Sequence, residues 1–335
     1  MKFGFGHVPS QDYREHVRLV QLAEELGFDY AWLADQTFHR DPVPVIAAAA
    51  LATHRIQLAI GVANPFTRHP AMLARAAATL DEMAEGRFSL GIGAGNRKEL
   101  LKPLGLDDGD AALRCKEMAE MIRALFAGGP VIYHGKYFEA DGVKLELTPR
   151  ADLHIYIAGR GPKVLEAAGA VADGAVVGGL CTPPGIGYAM DHIKRGAKQA
   201  GREVGEVVSW VTCYLTQNRV AATRNLTPVV AHIIGGAPMP TLKATGLPDA
   251  LTEKIKAVYQ AQGIEAAAQL VTDECIDAFT IVGDAEECAR RITELESVGV
   301  TQFAFLLPPG DIAQHRDRLR AFANSVMPLV QKVAQ

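Results

Sequence analysis

Six polar and glycine-rich clusters recur along the chain, each directly after a short apolar run. They read Gly6-His7-Val8-Pro9, Ala34-Asp35-Gln36-Thr37-Phe38-His39, Gly61-Val62-Ala63-Asn64-Pro65-Phe66-Thr67-Arg68-His69-Pro70, Gly91-Ile92-Gly93-Ala94-Gly95-Asn96, Ala158-Gly159-Arg160-Gly161-Pro162 and Gly178-Gly179. Without a Cβ, glycine lets a flat or bulky ligand lie against backbone amides. The competing explanation is that these glycines only make tight turns. Gly159-Arg160-Gly161-Pro162 opens a helical segment at 163–172. Helix N-terminal amides beside a guanidinium form an anion site suited to a phosphate.

The histidines divide by position. His7, His39 and His69 lie in or beside the clusters. Each is a proton donor, a phosphate contact or a loop cap. His16, His192 and His315 fall on helix surfaces and are expected to be solvated. Asp35 is either an anchor for its loop or an active-site acid. Gly91-x-Gly93-x-Gly95 lacks the third glycine of a dinucleotide fingerprint at the right spacing, and no acidic residue ends a second strand where that motif needs one. Walker A, G-x-S-x-G and H-E-x-x-H motifs are absent. The five cysteines (115, 181, 213, 275, 288) are far apart with no C-x-x-C. They read as reduced packing thiols of a cytoplasmic protein, and no metal site is expected.

Elements that could position these clusters follow from periodicity. Leu19, Leu22, Ala23 and Leu26 recur at helical spacing, and Gly27 stops that helix. Strands beginning near 2, 29, 56, 88, 155, 174, 207 and 302 alternate with such helices. Alternation of this kind argues for parallel strands with right-handed crossovers. Eight βα units suit a closed ring, so the expected fold is α/β, a (β/α)8 TIM barrel, with residues 1–335 as a single domain. Chemistry then belongs at the C-terminal ends of the strands, where the clusters lie. Two stretches break the rhythm: a hairpin near 131–147, and an insertion near 215–272 that could serve as lid, substrate wall or dimer contact.

Composition narrows the function classes. Of 335 residues, 49% are hydrophobic and 21% charged, which excludes a mostly disordered chain. Thirty-four basic against thirty-eight acidic residues gives a net charge of −4, so nucleic acid is not an expected partner. No apolar run reaches the ~18 residues of a membrane helix, and the first residues do not read as a signal peptide.

The run Gly61 to Pro70, followed by Ala78-Thr79-Leu80-Asp81-Glu82 and Gly86-Arg87-Phe88-Ser89-Leu90-Gly91-Ile92-Gly93, resembles the bacterial luciferase-like superfamily. Within it, the run is closest to the branch of methylenetetrahydromethanopterin reductase and other coenzyme F420-dependent oxidoreductases. Phe3-Gly4-Phe5 and Phe279-Thr280-Ile281-Val282-Gly283-Asp284 fit as well. The resemblance implies a barrel with insertions, a homodimer, and F420 or a flavin at the C-terminal strand ends, with F420 moving a hydride to or from a small organic substrate as the first reading. It also implies a non-prolyl cis peptide at Gly61-Val62 or one bond later, in a bulge after strand three where Gly61 and Val62 back the deazaflavin ring. Ala63 and Asn64 would line the deazaflavin ring, with Ala94, Gly95 and Asn96 flanking it. Ala158, Gly159, Arg160 and Gly161, with Gly178 and Gly179, would hold the phosphate tail. The branch's Asp-His after strand two reads Asp35-Gln36 here, and its glutamate after strand one reads Gly6 or His7. Substrate protonation would then need His7, His39 or water. The alternatives are an FMN-dependent monooxygenase on the same barrel, or a non-catalytic cofactor-binding protein.

Overall fold

Alternation along the first strand sets the plan of the molecule. In β1 (Lys2–His7), Phe3 and Phe5 point outward and pack against Phe322 and Phe28. Gly4 and Gly6 point inward, towards Gln302 and Trp210. The same period of two runs around a parallel ring, as expected for strands buried on both faces. In the computed structural model, which describes residues 1–36, 38–95, 100–107, 109–308 and 310–333, β1 is followed by β2 (Tyr30–Leu33), β3 (Gln57–Ala63) and β4 (Phe88–Ile92). A separate antiparallel hairpin, β5 (Val131–His134) with β6 (Glu139–Val143), comes next. The ring continues through β7 (Ile155–Gly159), β8 (Gly174–Gly178) and β9 (Glu206–Leu215). It closes through β11 (Gln302–Leu306), which pairs with both β9 and β1. The eight-stranded (β/α)8 barrel is the expected one.

Helices α1 (Tyr13–Glu25), α2 (Pro42–Ala52), α3 (Pro70–Met83), α4 (Ala111–Phe126), α5 (Pro162–Val171) and α6 (Pro183–Gln199) follow successive barrel strands. The insertion after β9 holds α7 (Arg219–Gly236), α8 (Met239–Lys243), α9 (Asp249–Gln262), α10 (Ile264–Ala268) and α11 (Asp273–Phe279). It ends in β10 (Thr280–Gly283), a short strand that pairs with the far end of β9. Helices α12 (Ala285–Ser297), α13 (Ile312–Ser325) and α14 (Met327–Val333) complete the chain. Strand β10 is not among the eight strands expected from periodicity. It has four residues and follows α11 with no turn between them, so no local signal separates it.

The barrel interior explains many of the glycines. Trp32 and Trp210 meet edge to face inside it, with centroids 6.0 Å apart, and Tyr156 abuts Trp32 at 5.2 Å. Opposite them a Cβ has no room. One built on Gly6 would lie 2.6 Å from Trp210, and one on Gly61 3.0 Å from Trp210 and 3.1 Å from Trp32. Large side chains from some strands are thus matched by glycine from others, which keeps the interior a packed core. At Gly6 and Gly61 the missing Cβ makes room for these tryptophans.

Candidate functional site

The strand ends form one rim, and its best-defined part is built by β3 and β4. The β3–β4 ladder breaks register between Ile60 and Ala63, and the Gly61-Val62 peptide is cis. The Val62 methyls seat where Cβ atoms of Gly91 and Gly93 would stand, at 3.1 and 2.8 Å. Asn64 then ties the two loops together. Its Nδ2 donates to the Ala94 carbonyl at 2.9 Å, and its Oδ1 accepts from the Phe66 amide at 2.9 Å. The side chain is buried, so its loss strands a carbonyl and an amide. Asn64→Ala is expected to destabilise the protein by about 1–3 kcal/mol, read as a lower urea midpoint at unchanged slope. Wild-type stability in that variant would remove the assigned tie.

An open cleft of about 380 Å³ lies over these loops, lined by Asp35, Phe38, Asn64, Thr67, Arg68 and Leu100. That volume is within the range of small-molecule sites. Arg68 Nη2 is 2.6 Å from Asp41, and its Nε is 3.9 Å from Asp35. Burial pushes the Asp35 carboxyl above the usual aspartate range, against the opposing pull of Arg68. Asp35 thus sits in the cleft wall with its proton held to higher pH. Gln36 and His39 are exposed in the same loop, and neither lines the cleft. The Phe38 ring lines the cleft and is 69% exposed. His69 caps α3, its Nδ1 accepting from the Ala71 amide at 3.2 Å. Asn96 lies outside the described residues.

His7 requires a correction. As the last residue of β1 it was expected near the reacting centre, but the alternation of β1 turns it outward with Phe3 and Phe5. Its ring stacks on Phe5 at 5.4 Å and on His16 at 4.9 Å, and it is fully buried. It faces the helix layer and not the barrel mouth, so it cannot reach a substrate there. His16 and His315 are likewise buried, not solvated.

The adjoining arc of the rim is cationic. Helix α5 begins at Pro162, and Arg160 stands just before it. Arg160 Nη1 is buried without a hydrogen-bond partner, and burial lowers the pKa of the guanidinium. Gly179 has a positive φ of 72° and lies directly against Nη1. Gly178, continuing the inward-facing series Gly174 and Val176 of β8, has nothing within 4 Å of the place a Cβ would take. Gly159 instead faces Val164 of α5, and Gly161 faces Pro238 of the insertion. Ala158 meets Gly93 across the barrel wall.

Residues 2–302 match the family described as luciferase-like monooxygenase. The chain belongs to that family. It is 35% identical over 316 residues to a 5,10-methylenetetrahydromethanopterin reductase of Archaeoglobus fulgidus, covering 92% of this chain and 94% of the relative. It is 26% identical over 341 residues to an F420-dependent glucose-6-phosphate dehydrogenase of Beutenbergia cavernae, covering 94% and 93%. The solved structure of the coenzyme F420-dependent tetrahydromethanopterin reductase from Methanopyrus kandleri superposes with a TM-score of 0.85 at 28% identity, covering 98% of each chain. Several residues of the motif that carries the family likeness are structural. Arg87 donates to the carbonyls of Ala50, Thr53 and Ile56, closing the end of α2. Asp81 binds the Phe88 amide and Arg150.

Two features of this luciferase-like rim were not anticipated. The Arg68 ion pairs involve a residue in a cluster already singled out, but its partners lie in another loop. The tryptophan floor involves two residues with no motif around them. A deazaflavin fits the rim on two observations: the unpaired Arg160 Nη1, which suits a phosphate, and the open space before Gly178.

Proposed function

We propose that this protein is an oxidoreductase that binds coenzyme F420 at the barrel rim and moves a hydride between the deazaflavin and a small organic substrate. The observation that carries it is a buried guanidinium nitrogen with an unsatisfied donor, Arg160 Nη1, at a helix start near the open space before Gly178. A buried cation of this kind needs an anion. The names of the relatives, F420-dependent reductases and dehydrogenases, supply the anion's carrier. When bound, the deazaflavin supplies the hydride donor or acceptor.

The chain's own residues do the remainder. Trp32 and Trp210 close the barrel below the rim and exclude water from beneath the ring. Ala63, Asn64, Ala94 and Gly95 form the ring's side wall. Ala158, Gly159, Arg160, Gly161, Gly178 and Gly179 hold the tail. Asp35, whose carboxyl burial holds above the usual aspartate range, is the titratable group placed to exchange a proton with substrate in the cleft, and Gln36 lies next to it in the same loop. With His7 turned away, Asp35 is the better placed donor. Fluorescence titration tests the cofactor: F420 is expected to bind and FMN not to. FMN binding alone, with oxygen uptake in the reduced state, would replace the proposal with a monooxygenase. Binding of both without turnover would leave a cofactor-binding protein.

The protein works as a cytoplasmic homodimer in this proposal. All five cysteines are buried and none is in a disulfide, which suits a reducing compartment. Helix α2, Pro-Val-Pro-Val-Ile-Ala-Ala-Ala-Ala-Leu-Ala, carries no charge on any side. Leu51 on it is 70% exposed, as is half of Met72 on neighbouring α3. A helix apolar all round calls for cover on every side. Leu51→Glu is expected to halve the mass seen in sedimentation while leaving the fold intact; an unchanged sedimentation coefficient would exclude this face.

A further inference from the structure

The loops after β7 and β8 lie under the insertion. Thr241 Oγ1 donates to the Arg160 carbonyl at 2.6 Å, and Ile233 of α7 covers Gly179 beside Arg160 Nη1. Helix α9 brings a second cation to this place. Lys256 Nζ donates to the carbonyls of Ala237 at 2.6 Å and Gly235 at 3.2 Å, where α7 ends. Ala237 adjoins Pro238, which packs against Gly161, so the lysine lies in the neighbourhood of Arg160, whose charge adds to burial in lowering the lysine's pKa. Among the described residues no carboxylate offsets either charge.

Among the described residues, the two arginines buried as whole side chains, Arg87 and Arg291, are satisfied. Arg87 donates to three backbone carbonyls and the Thr53 hydroxyl. Arg291 donates to carbonyls of Thr280, Cys181 and Asp277 and approaches the Asp277 carboxylate at 3.5 Å. Arg160 departs from that practice, and it does so next to a lysine. A buried donor left unused on one cation, with a second positive charge nearby, is costly without an anion.

We propose that Lys256 is the second cation of the tail site, so that a phosphate held between Arg160 Nη1 and Lys256 Nζ ties the insertion to the barrel. The anion's identity rests on the cofactor reading above. The two-cation site itself does not. Arg160 belongs to the barrel and Lys256 to the insertion, whose contacts at this place run through Thr241, Pro238 and Ile233, so binding adds a further tie between the two. Lys256 is a positioning and specificity residue for a phosphate-bearing ligand, and it touches no reacting atom.

The test uses the full chain with F420, with a deazaflavin lacking the phosphate tail, and with inorganic phosphate. Lys256→Gln is expected to weaken F420 at least tenfold and to flatten the salt dependence of its affinity. It should leave the tail-less deazaflavin unaffected, and Lys256→Arg should restore F420 binding. F420 should also slow amide exchange over 228–262 in the wild type and not in Lys256→Gln. Wild-type affinity and salt slope in Lys256→Gln would overturn the proposal. If neither deazaflavin binds, the cofactor reading fails, and phosphate-dependent protection of 228–262 then decides the site. Protection lost in Lys256→Gln supports the two cations, and its absence in the wild type overturns them. Phosphate protection with equal affinity for both deazaflavins would assign the anion to a substrate and overturn the tail assignment.

Discussion

Adding one methyl group to the rim is expected to give opposite results at two glycines. At Gly91, a Cβ would lie 2.4 Å from the Ile60 carbonyl oxygen, a backbone atom of the adjacent strand, and 3.1 Å from Val62. Neither strand can shift without moving the register break between Ile60 and Ala63. Overpacking of this kind costs about 1–3 kcal/mol and sometimes more. Gly91→Ala is therefore expected at the upper end, with a lower urea midpoint. At Gly178 the same addition meets open space. Gly178→Leu is expected to fold with wild-type stability, within about 0.5 kcal/mol. Its side chain would project where the proposal puts the cofactor, so F420 affinity should fall at least tenfold, about 1.4 kcal/mol. Equal loss of stability in both variants would show that Gly178 faces packed protein. Full F420 affinity in Gly178→Leu would remove the cofactor from this arc.

The ring order of the strands was readable because the barrel strands are short apolar runs that alternate with helical segments, several of which, such as α1, carry a clear apolar stripe. What periodicity could not give was the direction of side chains at the rim. His7 looked catalytic because it ends β1, yet a strand alternates faces, and Gly4 and Gly6 take the inward positions. The glycines were readable as a group, but one composition signal covered three different causes. Gly6 and Gly61 make room for tryptophan, Gly91 and Gly93 for Val62 and neighbouring backbone, and Gly178 leaves space open. Lys256 carried no signal at all: a lysine on an amphipathic helix becomes part of a site only when the insertion folds over Arg160. Arg160 was legible because its motif, a glycine pair before a helix start, is local. The cis bond at Gly61-Val62 was legible only through family likeness.

The largest pH effect is expected from histidines that take no part in the chemistry. His7 is stacked between Phe5 and His16 with both ring nitrogens unpartnered, and burial holds its pKa well below the ordinary imidazole value. His16 bonds Gln11 through Nε2 at 3.0 Å, and His315 contacts the Pro308 carbonyl at 3.2 Å. Both are also lowered, chiefly by burial. Arg40 beside His16 and Arg318 beside His315 oppose a further positive charge, while Asp12 and Asp311 favour it. An unfolded histidine takes up its proton near pH 6.5. The folded state resists, so below that pH the unfolded chain binds more protons and stability falls as pH falls. Above it these groups contribute nothing to the slope. Each histidine contributes about 1.4 kcal/mol per pH unit between its unfolded and folded values. Urea unfolding at pH 7.5, 6.0 and 5.0 should show a steep acid loss, and His7→Leu should lessen the slope below pH 6.5 by about one histidine's share. An identical slope in that variant would mean that His7 is already protonated in the native protein.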